Sequence, residues 1–275
     1  MRQSVDSRSL PVCIAAAIVS TGLIACSAPT DNGLSAEVTA AREVLRRGNG
    51  GEPQVLDPAL ADDIHAFNVL ADLYEGLVVE VADGSLRPGV AERWDVSPSG
   101  LEYDFFLRED AAWSNGEPVT AADFVHAFQR VVQPGSTAAY SFLLEPLLNN
   151  RAVLRGELPP EELGIHAVDS RHLKIELSTP TPYFPAILAM PITYPVHSDA
   201  SDPAAFRDPE QFVGNGPFVL EEWRLGEIIR LKKNPQFRDA ASVEIEAVDY
   251  LPITNPMAAV SYTHLLSHET ERLIG

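Results

Sequence analysis

Gly84-Ser-Leu-Arg-Pro-Gly-Val-Ala-Glu-Arg-Trp94, Leu101-Glu-Tyr-Asp-Phe-Phe-Leu-Arg108 and Trp113-Ser-Asn-Gly-Glu-Pro-Val-Thr-Ala-Ala-Asp-Phe124, closing at Arg130 and Pro134, form the stretch on which the fold turns. Leu101, Tyr103, Phe105 and Leu107 alternate with Glu102, Asp104 and Phe106, the period of two that marks a strand with one buried face. Ser97-Pro98-Ser99-Gly100 is turn chemistry, so residues 94–96 and 101–107 are expected to pair as a hairpin. Asn115-Gly116 marks a second tight turn. Thr120 followed by Asp123 fits a helix-opening capping box, and Ala121, Phe124, Val125, Phe128, Val131 and Val132 then recur at helical spacing. Pro134-Gly135 stops that helix. Hairpin, turn and helix together place the chain in the α/β class, with mixed α+β sheets.

Working outward, residues 43–58 predict an opening strand and a turn that Gly48, Gly50 and Gly51 permit and Pro53 and Pro58 stiffen. A helix is expected over 64–76, with Phe67, Leu70, Ala71 and Tyr74 on one face and Gly76 as its C-cap. Residues 140–154 are helical in pattern. Residues 165–168 and 173–177 predict a second hairpin, 218–223 and 228–231 a third, and Val243, Ile245 and Ala247 alternate along a last strand.

The first 25 residues read as a targeting segment. A polar start with Arg2 and Arg8 precedes a largely apolar run of about 15 residues, too short for a stable membrane span. It ends in Leu23-Ile24-Ala25-Cys26, the pattern of a lipoprotein cleavage site, which makes Cys26 the candidate for lipidation. Residues 26–40 then read as a flexible tether. The chain's other cysteine, Cys13, lies within the leader.

The run RPGVAERW, WSNGEPVTAADF, Arg130 and Pro134, with the EPxxLDP turn at Glu52–Pro58, LYEGL at 73–77 and NGPF at 215–218, resembles the bacterial ABC-importer solute-binding lipoproteins of the peptide and nickel class (family 5). The resemblance runs from about Glu43 to Asn255. It implies the first lobe of a two-lobed type II periplasmic-binding fold, truncated before the second lobe, with residues 256–275 matching nothing in the family. It further implies a ligand-facing sheet domain over 41–77 with 197–255 and an inserted subdomain over 78–196. By the same resemblance the protein is an exported, membrane-anchored monomer that captures oligopeptides and delivers them to permease subunits by hinge closure. A nickel chelate or an oligosaccharide is the alternative cargo, and with the second lobe absent peptide binding by this chain is expected to be weak.

A protein that takes peptides of many sequences must read backbone amides and terminal charges. The family's contact loop falls here on Asp62, Asp63, Ile64 and His65, and a family cleft tyrosine falls on Tyr140. The plainer reading is that Asp62 and Asp63 open the following helix, that His65 is a surface histidine and that Tyr140 is a packing aromatic.

The net charge of −19 argues against nucleic acid and against electrostatic attachment to anionic lipid. No Gly-x-Ser-x-Gly elbow, His-Glu-x-x-His or phosphate loop is present, so a periplasmic hydrolase is the remote alternative and no cofactor is expected. His264 and His268 sit four apart with no Glu between them, and no metal site is expected there.

Overall fold

The computed structural model describes residues 43–198 and 203–254. In chain order the elements are β1 (Val44–Gly48), α1 (Ile64–Leu73), β2 (Val78–Glu80), β3 (Leu86–Pro88), β4 (Ala91–Val96), β5 (Glu102–Leu107) and α2 (Ala121–Val132). There follow α3 (Asn150–Leu154), β6 (Ile165–Ala167), β7 (His172–Glu176), α4 (Phe184–Ile187), β8 (Phe218–Arg224), β9 (Ile228–Lys233) and β10 (Ala247–Leu251). Two four-stranded sheets carry the fold, in the orders β1-β10-β9-β8 and β4-β5-β7-β6, with β2 and β3 forming a short ribbon. The first sheet is mixed: β1 runs parallel to β10, and β10-β9-β8 are antiparallel.

The alternation in the opening stretch does the work expected of it. Tyr103, Phe105 and Leu107 are buried, while Glu102, Asp104 and Phe106 face outward on β5. On the inner face Phe105 stacks with Trp94 at 6.1 Å and Tyr103 at 6.3 Å, and Tyr103 meets Phe184 at 5.5 Å. On the outer face the Arg93 guanidinium lies 3.6 Å over the Phe106 ring, whose other neighbour is His172 at 4.8 Å. The helix α2 opens as its sequence requires: the Asp123 carboxylate accepts from the Thr120 N–H at 2.7 Å and its hydroxyl at 3.0 Å. Phe124, Phe128, Val131 and Val132 bury fully against β6 and β7.

Three expectations give way. The helix expected over 64–76 ends at Leu73, and Tyr74 is extended. The Leu73 carbonyl instead accepts from the Gly216 N–H at 3.0 Å, so a strand-entry segment takes the group that would have continued the helix. Gly216 is required there: a Cβ would lie 2.5 Å from the Leu73 carbonyl carbon and the Tyr74 nitrogen. The helix expected over 140–154 breaks into a 3₁₀ turn at Ser141–Leu144 and the short α3. Pro146 has no N–H to give, and Leu148 donates to the Glu176 carbonyl at 2.9 Å, so the sheet edge captures the middle of the segment. The last strand begins at Ala247, not at Val243: Lys233 Nζ holds the Val243 carbonyl at 2.6 Å and keeps that stretch off the ladder.

One ion pair ties the opening turn to α2. Arg130 donates to both oxygens of Asp57, at 3.2 and 2.7 Å, and the Asp57 carboxylate is 2% exposed. The Asp of the LDP turn and the Arg that closes the quoted stretch, Arg130, are therefore partners.

Candidate functional site

Asn49, directly after β1, organises the loop that the sequence marks as a contact segment. Its Nδ2 donates to the His65 carbonyl at 3.0 Å, its Oδ1 accepts from Asn68 Nδ2 at 3.0 Å, and its own carbonyl accepts from His65 Nδ1 at 2.6 Å. The His65 ring lies over Gly50 and Gly51; a Cβ on Gly51 would sit 2.8 Å from its Nε2. Arg47 Nη2 donates to Asn68 Oδ1 at 3.2 Å, and the Tyr250 hydroxyl lies 2.8 Å from the Asn68 carbonyl and 2.5 Å from Asp72 Oδ2. Burial raises the Asp72 carboxyl above its ordinary range, against the pull of that hydroxyl and of Arg47.

Each sequence candidate now has a place. Asp63 is the N-cap of α1 and accepts from the Ala66 N–H at 2.8 Å. Asp63→Ala is expected to cost about 1 kcal/mol, read as a shift of the urea midpoint. His65 is half-buried and held by Asn49, so the surface reading of it is too plain. Asp62 and Ile64 are exposed, Ile64 to 63%. Tyr140 is half-buried and packs on Phe67 at 5.4 Å and Phe142 at 5.9 Å. Since Phe67 follows Ile64 by three residues on α1, Tyr140 and the 62–65 segment belong to one neighbourhood. Cys26, the leader, the tether and His264 and His268 lie outside the described residues.

Sequence reasoning missed a cavity of about 450 Å³ on the same helix, lined by Phe67, Ala71, Tyr74, Met190 and Tyr194 with Glu75 and Glu80. Glu75 is paired through both oxygens with Arg238, at 2.9 and 3.1 Å. Asn215 clamps the Glu75 backbone, its Oδ1 accepting from the N–H at 3.1 Å and its Nδ2 donating to the carbonyl at 2.9 Å. Burial lifts the Glu75 carboxyl from 4.5 to about 7, against the pull of Arg238. The folded state thus holds the Glu75 proton over a pH range where the unfolded chain has released it. Stability from this group is full below about 4.5 and is lost as pH rises towards 7. Glu75→Gln is expected to remove that part of the slope, seen by comparing thermal midpoints of the two proteins at pH 5 and pH 8. A cue existed in the motifs: Glu75 lies in LYEGL and Asn215 in NGPF. Nothing local pointed to Arg238.

Among the described residues no three of His, Cys, Asp or Glu come together as a metal cluster, and no helix is long and apolar enough to cross a membrane.

Residues 85–264 match the model of the bacterial extracellular solute-binding proteins, family 5. The chain belongs to that family. It is 38% identical over 253 residues to the periplasmic oligopeptide-binding protein OppA of Salmonella typhimurium, covering 90% of this chain and 46% of that protein. It is 37% identical over 220 residues to the probable deoxycholate-binding periplasmic protein YgiS of Escherichia coli, covering 78% of this chain and 41% of the relative. Among solved structures, Haemophilus influenzae OppA in complex with RPPGFSPFR superposes with a TM-score of 0.77 at 32% identity, over 82% of this chain and 45% of that one. The family 5 member described here thus has the mixed α/β fold of the type II periplasmic-binding proteins and spans less than half the length of these relatives.

Proposed function

We propose that this family 5 protein is the solute-binding component of an ABC importer, exported to the periplasm, where it captures oligopeptides and hands them to a membrane permease. The observation that carries the reading is the seating of Tyr140 against α1, one turn from Asp62–His65, with Asp62 and Ile64 left open to a ligand. The names of the relatives support peptide as cargo. In this reading the β1-β10-β9-β8 sheet, within 41–77 and 197–255, belongs to the ligand-facing domain and 78–196 is the inserted subdomain. Asp62 supplies an acidic contact to the peptide, Tyr140 lines the cleft, and Cys26 carries the lipid that anchors a monomer.

The relative named for deoxycholate sets the competing cargo, an amphipathic steroid anion. With Glu75 paired to Arg238, Glu80 is the remaining charged residue lining that cavity and it is acidic, which disfavours an anion there. Calorimetry with a mixture of tri- to pentapeptides is expected to give saturable heat with Kd weaker than about 1 µM. Deoxycholate, a nickel chelate and an oligosaccharide are expected to give none; binding of any of these without binding of peptide overturns the reading. Cys26→Ala is expected to release the protein from membranes, and unchanged membrane association would sink the anchor.

A further inference from the structure

A second cavity, of about 760 Å³, opens between the segment from Phe142 to Ala152 and the segment from Ser178 to Ile187. Its size suits a small ligand or a large side chain with its backbone. Leu147 and Ile187, both buried, contribute to the wall. Phe142 and Tyr183, 60% and 66% exposed, stand among its lining residues with their rings largely in water. Of the charged residues that line it, Glu145 and Arg151 bind each other, Nε to Oε1 at 2.9 Å. The cavity therefore presents aromatic surface without net charge and suits a neutral group.

Two irregularities meet at this cavity. Asn149 is, among the described residues, the one non-glycine residue with a left-handed backbone, at φ 64°. Its neighbour Asn150 also lines the cavity, is 2% exposed, and has an Nδ2 with no hydrogen-bond partner, the one such buried side-chain nitrogen or oxygen among the described residues. A buried N–H without an acceptor costs about 1–3 kcal/mol, and such groups are rare unless something else completes them. Left-handed non-glycine backbone also gathers at ligand sites, though Asn adopts it more readily than most residues. A carbonyl oxygen, which a peptide supplies at every residue, is one acceptor that would complete it.

The cavity is also linked to the candidate contact surface. Phe142 in its wall packs on Tyr140, Tyr140 packs on Phe67, and Phe67 lines the cavity beside Glu75. The ring-to-ring steps of 5.9 and 5.4 Å set an upper limit on the separation of the Phe142 and Phe67 rings, within reach of roughly three to four residues of extended chain at ~3.3 Å each.

We propose that this second cavity is a subsite for an apolar or aromatic residue of a bound peptide, with a peptide carbonyl accepting from Asn150 Nδ2 after a rotation of that side-chain amide. A residue about three positions along the same peptide occupies the cavity beside Glu75, and the peptide crosses over Tyr140 between them. The proposal rests on the oligopeptide reading and extends it by naming where a neutral residue is held.

The test uses N-acetylphenylalaninamide, which has the ring and two carbonyls but neither terminal charge, added to the full chain with ¹⁵N-labelled asparagine side chains. Binding is expected at about 1–10 mM, with a saturating shift of the Asn150 side-chain amide. Tyr183→Ala, at an exposed position, and Ala152→Trp, which fills the cavity, are each expected to weaken it at least fivefold, with Tyr183→Ala leaving the thermal midpoint in place. An Asn150 amide that does not move at about 10 mM probe, or binding that survives Tyr183→Ala, overturns the subsite. Because the probe lacks an α-amine, its failure leaves oligopeptide capture standing. Failure of the peptide mixture alongside a bound probe sinks the oligopeptide reading and leaves the cavity.

Discussion

Arg130→Met is expected to cost the fold about 3 kcal/mol, the largest loss anticipated from any single polar side chain here. The cause is what it leaves behind. Asp57 is 2% exposed, and its two oxygens take both terminal nitrogens of Arg130. Removing the guanidinium strands a carboxylate with the Ala59 N–H, at 3.0 Å, as its remaining local donor. The low end of the range for breaking a buried pair applies, since the Arg130 side chain keeps 21% exposure. Asp57→Ala is expected to cost less, because the orphaned guanidinium reaches water. The double variant Asp57→Leu with Arg130→Met is expected to recover most of the loss. Urea unfolding of the three variants measures all of this, and a loss under about 1 kcal/mol for Arg130→Met contradicts the account.

Phe105→Ala is expected to cost about 3–5 kcal/mol, the transfer term of the ring plus the cavity it leaves. Phe105 is fully buried on β5, with Trp94 on one side and Tyr103 on the other. Those neighbours sit on strands whose register the ladder fixes, so they have little room to close the gap. A drop in thermal midpoint of roughly 10 °C is the expected signature. Phe106→Ala, one residue on and facing out under Arg93, is the control and is expected to change little.

These two positions show what sequence could and could not reveal. The alternation from Leu101 to Leu107 and the Thr120–Asp123 box were readable because strand face and helix start are local properties, and the structure has both as read. The failures share one cause: a distant segment took a backbone group that local propensity had assigned elsewhere. Gly216 takes the Leu73 carbonyl, and Glu176 takes the Leu148 N–H. The proposed contact residues rest on resemblance alone, and the side chains that hold their segment were not foreseen. Asn49, Asn68 and Tyr250 look like ordinary polar residues until β1, α1 and β10 bring them together. The unpartnered amide of Asn150 had no signature in the sequence, because an unmet hydrogen bond is a property of surroundings and not of spacing.

The parallel pairing of β1 with β10 has a consequence in time. Val44 opposes Ala247 and Gly48 opposes Leu251, so the edge strand of the sheet that bears Asn49 finds its partner roughly 200 residues later. At a synthesis rate of about 5–20 residues per second, β1 waits roughly 10–40 s before that ladder can form. Pairings so distant in the chain are also intrinsically slow to close. Until β10 emerges, β1 lacks the strand that holds it in its sheet, whereas the β4-β5-β7-β6 sheet, complete within residues 91–176, already has all its strands.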